Sequence, residues 1–89
     1  MDSRGIEFMT EQEIIMYGTA WCPDCHRAKR VFESKGVAYR WVDIGQSAEA
    51  AAEVERLNKG YRSVPTIVFP DGAILVEPSN PELETKLSG

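Results

Sequence analysis

Glu13-Ile14-Ile15-Met16-Tyr17-Gly18-Thr19-Ala20-Trp21-Cys22-Pro23-Asp24-Cys25 is the stretch on which the fold turns. Residues Glu13 to Tyr17 form a short, mostly apolar run that stops at Gly18-Thr19, as a buried strand does. Pro23 suits the first turn of a helix, where a missing N–H costs nothing. Beyond it, Ala28, Val31, Phe32 and Lys35 make an apolar stripe at helical spacing, ending in a lysine whose stem can lie along apolar surface. Gly36 is a natural residue just past a helix end. The spacing predicts a helix over Pro23 to Lys35. Two cysteines, Cys22 and Cys25, therefore fall at a strand-to-helix junction, where open α/β sheets place their chemistry.

Working outward, Val37 to Ile44 alternates aromatic and β-branched residues and reads as a second strand. Ser47 caps a second helix, Ala48 to Asn58, with Ala50, Val54 and Leu57 on one face and Lys59-Gly60 after it. Thr66 to Phe69 and Ala73 to Glu77 read as two more strands, joined by Pro70-Asp71-Gly72 in an antiparallel hairpin. Ser79 or Asn80 caps a last helix that begins at Pro81 and carries Leu83 and Leu87. The order is β-α-β-α-β-β-α. A right-handed parallel βαβ unit extended by the hairpin gives an α/β fold: a four-stranded mixed sheet with helices on both faces. Residues 1–12 read as a flexible polar N-terminal extension, and 13–89 as one domain.

The composition is that of an ordinary globular domain: 89 residues, 43% hydrophobic and 27% charged. A net charge of −4 argues against a general binder of nucleic acid or anionic membrane. The charge is uneven, however. Between Cys22 and Arg40 lie five basic residues (Arg27, Lys29, Arg30, Lys35, Arg40) against Asp24 and Glu33, whereas the remainder is strongly acidic. No run approaches the ~18 apolar residues of a membrane span. The opening residues lack the apolar stretch of a secretory signal, so a reducing cytoplasm is the expected compartment.

A bridge between cysteines three residues apart closes a tiny loop and restrains the unfolded chain little. Chemistry explains the pair better than a structural staple. Free N–H groups and the helix dipole favour a thiolate on Cys22, and Cys25 lies on the same face within bridging reach. The pair suits attack on a disulfide by Cys22 and resolution of the mixed disulfide by Cys25. Lowering a thiol pKa from about 8.5 to about 7 raises the thiolate fraction at pH 7 roughly sixteen-fold. Lower nucleophilicity removes about five-fold of that, so the larger benefit is a better leaving group. Asp24 opposes the thiolate; Arg27, Lys29 and Arg30 favour it weakly because salt screens them.

Other readings of the pair are weaker. Cys22 to His26 matches the C-x-x-C-H haem-attachment pattern, but a strand before it is the wrong context. Structural zinc needs about four ligands, and two cysteines with the single histidine supply three at most. An inert buried pair fits poorly with Trp21 and Pro23 at a helix start. His26 itself reads as an exposed polar residue, and no metal is expected.

Cys22-Pro23-Asp24-Cys25-His26-Arg27-Ala28-Lys29, followed by Ser34-Lys35-Gly36-Val37, resembles the dithiol glutaredoxin segment. Ser63-Val64-Pro65 resembles that family's Thr-Val-Pro motif with its cis proline. The resemblance runs from about Glu13 to Leu87. It implies a thioredoxin-like three-layer fold and a cytoplasmic, monomeric thiol–disulfide oxidoreductase, with Cys22 as nucleophile and Cys25 as resolving cysteine. It implies protein disulfides, or mixed disulfides with a low-molecular-weight thiol, as substrates, and that thiol and its reductase system as partners. Val64 would pair with the thiol through its backbone, beside Trp21, Pro23, Arg62, Ser63 and Pro65.

The chain also departs from the family pattern. Asp24 replaces a usual tyrosine, Thr19 stands where many members have lysine, and Glu77-Pro78-Ser79-Asn80 replaces a Gly-Gly-Cys-Asp segment. Ser79 and Asn80 remain candidates for a γ-glutamyl carboxylate, since helix starts bind anions. Arg62, Asp71-Gly72 and Pro78-Ser79 look more like the actinobacterial mycoredoxins, which use mycothiol rather than glutathione. A second class stays open: some glutaredoxins carry a [2Fe–2S] cluster on the nucleophilic cysteine, although Pro23 tends to disfavour it.

Overall fold

The computed structural model describes residues 13–88, so the expected flexible extension over residues 1–12 lies outside the described residues. Four strands, β1 (Ile15–Gly18), β2 (Arg40–Asp43), β3 (Thr66–Val68) and β4 (Ile74–Val76), form one sheet in the order β2-β1-β3-β4. Three helices, α1 (Pro23–Lys35), α2 (Ala48–Leu57) and α3 (Asn80–Ser88), complete the expected β-α-β-α-β-β-α order. β1 pairs parallel with β2 and antiparallel with β3, and β3 pairs antiparallel with β4. The expected mixed sheet is the one found.

Strand alternation divides the residues between two faces. Met16 and Ile67, opposite one another in the β1–β3 ladder, point toward α1 and α3. There Ala28, Val31, Phe32, Phe69 and Leu83 complete the main core. Thr66, one position along β3, faces α2 instead, and its hydroxyl accepts from Asn58 Nδ2 at the end of that helix (2.9 Å). Among the described residues no helix is long and apolar enough to cross a membrane.

All four strands are shorter than their sequence patterns suggest, β2 and β4 the most. The expected strand over Val37 to Ile44 pairs only from Arg40, because Gly36 (φ 68°) and Val37 return their N–H groups to Glu33 and Phe32 to close α1. Val37 and Tyr39 are apolar for the core rather than for the ladder, and the Tyr39 ring lies 4.7 Å from that of Phe32. Likewise Ala73 belongs to the hairpin turn, accepting from Phe69 N–H. Glu77 leaves the extended region (φ 49°) and donates its N–H to Pro65. The last helix begins one residue earlier than expected, at Asn80, with Ser79 outside it.

Candidate active site

Cys22 is the N-cap of α1, and Pro23 holds the first helical position. A cap keeps extended backbone (φ −87°, ψ 115°) while its side chain satisfies an amide the helix leaves open. Here sulfur does that work: Cys25 N–H donates to Cys22 Sγ at 3.1 Å. The approach from β1 is equally tight, with Cys22 N–H donating to Thr19 O (3.3 Å). His26, expected only as an exposed polar residue, also ties this turn down. Its Nε2 bonds the Ala20 carbonyl at 2.7 Å, which makes that nitrogen the protonated one.

The two sulfurs sit in different surroundings. Both cysteines are free thiols; Cys22 retains 9% of its surface, whereas Cys25 retains none. Burial pushes the Cys25 thiol up to about 12, and the hydrogen bond with Cys22 adds to the shift. A backbone hydrogen bond from Thr19 and the charge of Lys29 offset part of it. At pH 8 a thiol of that pKa is only ~0.01% thiolate. Iodoacetamide between pH 7 and 9 should therefore label the reduced protein once, at Cys22, and reach Cys25 only after denaturation. Peptide mapping showing comparable label on both cysteines would contradict this arrangement.

Behind the pair lie Gly18 and Trp41, neither of them among the expected site residues. A Cβ on Gly18 would stand 2.6 Å from Cys25 Sγ and 2.7 Å from the Trp41 ring. Gly18 thus leaves the space that Cys25 fills. Lys29 Nζ covers the same Trp41 ring at 3.6 Å from its centroid, a cation–π contact. No local signal marks Trp41, which reads simply as a strand aromatic. Trp21 is 73% exposed, and its ring leans toward Gly45 after β2 rather than along α1.

The loop before β3 closes the front of the site. The Val64–Pro65 peptide is cis, and the Val64 carbonyl oxygen lies 3.9 Å from Cys22 Sγ. Thr66 Oγ1 donates to Ser63 O (2.7 Å), so Ser63 to Thr66 is tied as a unit to α2 through Asn58. Pro65 O accepts from Glu77 N–H at 2.8 Å, drawing the loop before α3 alongside.

Arg27 fastens that loop from the other side. Its guanidinium donates to Asn80 Oδ1 (2.6 Å) and Pro78 O (3.3 Å), and lies 3.3 Å from the Asp24 carboxylate. Arg27 was not among the expected binding residues, because Pro78 and Asn80 lie more than fifty residues from it. The expected binding residues divide into two groups. Cys22, Pro23, Val64 and Pro65 converge. Ser79 and Asn80 stand beside them, but Ser79 bonds Glu82 and Asn80 bonds Arg27. Arg62 pairs with the Glu55 carboxylate of α2, next to Tyr61, which is 72% exposed. Among the described residues no group of three or more His, Cys, Asp or Glu side chains could hold a metal ion.

The glutaredoxin family model matches residues 14–74, which include both cysteines and the Val64–Pro65 loop. A Mycobacterium tuberculosis protein that carries the glutaredoxin name is 39% identical over 79 residues, spanning 89% of this chain and 94% of its own. Mycoredoxin 1 of Corynebacterium glutamicum is 32% identical over 74 residues, spanning 83% and 91%. The crystal structure of a glutaredoxin from Archaeoglobus fulgidus superposes with a TM-score of 0.73 at 25% identity, covering 94% of this chain and 95% of that one. The sheet order agrees with the thioredoxin-like fold of these neighbours. With a cysteine capping a helix beside a proline loop, and with likeness along most of its length, the chain belongs to the glutaredoxin family, whose members are thiol–disulfide oxidoreductases.

Proposed function

We propose that the protein reduces mixed disulfides between proteins and a low-molecular-weight thiol, with Cys22 as the attacking sulfur. The observation that carries this reading is Cys22 Sγ at the helix start, accepting the Cys25 amide with the Val64 backbone beside it. A hydrogen bond to a sulfur strengthens as the sulfur gains charge. The Cys25 amide therefore helps most when Cys22 departs as a thiolate.

The exchange proceeds in two displacements. Cys22 thiolate attacks the small-thiol sulfur of protein–S–S–R, forming Cys22–S–S–R and releasing the protein thiolate, which takes a proton from solvent. A second small thiol, as its thiolate, then attacks the sulfur of R. It leaves R–S–S–R and restores Cys22 thiolate, so two electrons pass from the small thiols to the protein disulfide. Alternatively Cys25 loses its proton to the departing R–S⁻ as it attacks Cys22 Sγ, giving the intramolecular disulfide and R–SH. Breaking the Cys22 hydrogen bond removes one cause of the high Cys25 pKa, so Cys25 becomes more acidic once Cys22 is in the mixed disulfide.

Val64 N–H has no partner among the described residues and suits backbone pairing with an extended thiol. Glutathione and mycothiol are the candidate reductants, each with its own reductase; the likeness to mycoredoxin 1 supports the second. Mixing the Cys25→Ser protein with a glutathionylated and a mycothiolated carrier, then quenching with acid, tests the reading. The mass of the small thiol should appear on Cys22. A carrier that loses its thiol with no adduct on Cys22, or an adduct elsewhere, overturns it.

A further inference from the structure

The start of α3 is closed by the chain's own carboxylate. Glu82 N–H donates to Ser79 Oγ (3.2 Å), and Ser79 N–H donates to Glu82 Oε1 (2.8 Å), a reciprocal capping box. Pro81 has no N–H and Leu83 N–H donates to Ser79 O, so among the described residues the Asn80 amide is the one of the first turn without a partner. This helix start belongs to the active site. Arg27, just over one turn beyond Cys22, bonds Pro78 and Asn80, and Glu77 bonds Pro65 next to Val64.

The surrounding charges point the same way. Of the cations near the cysteine pair, Arg27 is engaged with Asp24 and Asn80 and Lys29 lies over Trp41, while Arg30 lines a hollow with Arg27 and Asn80. Asp24 in α1, Glu77 after β4 and Glu82 in α3 are all exposed carboxylates. In the turn before Cys22, Thr19 carries a buried hydroxyl with no hydrogen-bond partner among the described residues.

We infer that Glu82 is a specificity-determining residue: by filling the α3 start with its own carboxylate, it disfavours small thiols that bring a carboxylate there. The inference rests on the reading of Cys22 as the sulfur that takes up the small thiol. Its bonds change as in that exchange; only the preference among R groups is new.

Glutathione and its diethyl ester, each disulfide-bonded to the same carrier peptide, separate charge from shape. The wild-type protein should have a kcat/KM about fivefold higher for the ester at low salt, the scale of one exposed charge at a helix end, and less at high salt. Glu82→Gln keeps an acceptor for Ser79 N–H, so the cap persists while the charge goes, and it should bring the ratio toward one. Glu49→Gln removes the same charge on α2, away from the loop, and should leave the ratio as it was. Equal rates for acid and ester in the wild type would overturn the inference. So would a ratio that Glu82→Gln does not move, or one that Glu49→Gln moves as much. Failure to turn over either peptide would instead remove the underlying reading of Cys22, and the preference with it.

Discussion

Cys22→Ser should reduce turnover of a peptide–glutathione or peptide–mycothiol mixed disulfide to the uncatalysed background, while Cys25→Ser continues to turn it over. The asymmetry follows from which atoms of each residue are used. Serine at position 22 removes the sulfur nucleophile and puts a hydroxyl, not ionised at neutral pH, at the head of α1. At position 25 the group that supports Cys22 is the backbone amide, which bonds Cys22 Sγ at 3.1 Å and survives the change to serine. The Cys25 side chain is fully buried, so it does not meet an incoming thiol directly. What Cys25→Ser loses is the intramolecular disulfide, and with it reduction of substrates that need both cysteines. Rates of release of the small thiol for the three proteins, at equal concentration, check this. Equal loss in both variants would show that the sulfurs share the attack and that the burial difference is irrelevant to it.

Gly18→Ala should be the most damaging small substitution near the site. The added methyl would lie 2.6 Å from Cys25 Sγ and 2.7–2.8 Å from two atoms of the Trp41 ring, well inside van der Waals contact. Gly18 ends β1, and its carbonyl also accepts from Ile44 N–H at 2.9 Å. The strand therefore cannot simply slide away. Overpacking of this kind costs about 1–3 kcal/mol. For a domain this small, each kcal/mol lowers Tm by about 4–8 °C. The Cys25 side chain is the atom group with least room to move, so the variant should also form the Cys22–Cys25 disulfide less readily. Thermal unfolding of the reduced protein, with titration in thiol–disulfide buffers, measures both. An unchanged Tm would mean that the space behind Cys25 is looser than these distances indicate.

Much of this architecture can be read from short stretches. The limits of α1, Pro23 and Lys35, are marked by a proline, an apolar stripe and Gly36, all of which act within a turn of themselves. Ser47 caps α2, and its Oγ accepts from Ala50 N–H (3.1 Å), as its place before an alanine-rich run suggests. The hairpin is equally local. Gly72 N–H donates to Phe69 O (2.9 Å) and Gly72 takes φ 91°, a conformation glycine adopts without strain.

Periodicity gave less guidance at strand ends, because ladder length depends on the partner strand. The apolar residues Val37 and Tyr39 satisfy a core contact while lying outside β2.

The sequence by itself determined the order of elements, the helix that Cys22 opens, and the spacing that puts Cys25 one turn behind it. Caps, turns and stripes depend on neighbours within about four residues, so they are legible without a partner. Only the tertiary structure decided that Gly18 makes room for Cys25, that Arg27 holds Pro78 and Asn80, and that Val64 faces Cys22. It also decided that Asn80 meets Arg27. The Cys22–Val64 and Arg27 contacts join residues 42 to 53 positions apart, brought together because β3 lies beside β1 in the sheet and α1 packs against α3. A side chain's type shows what it is able to bond; the packing of the sheet against its helices decides which bond it makes.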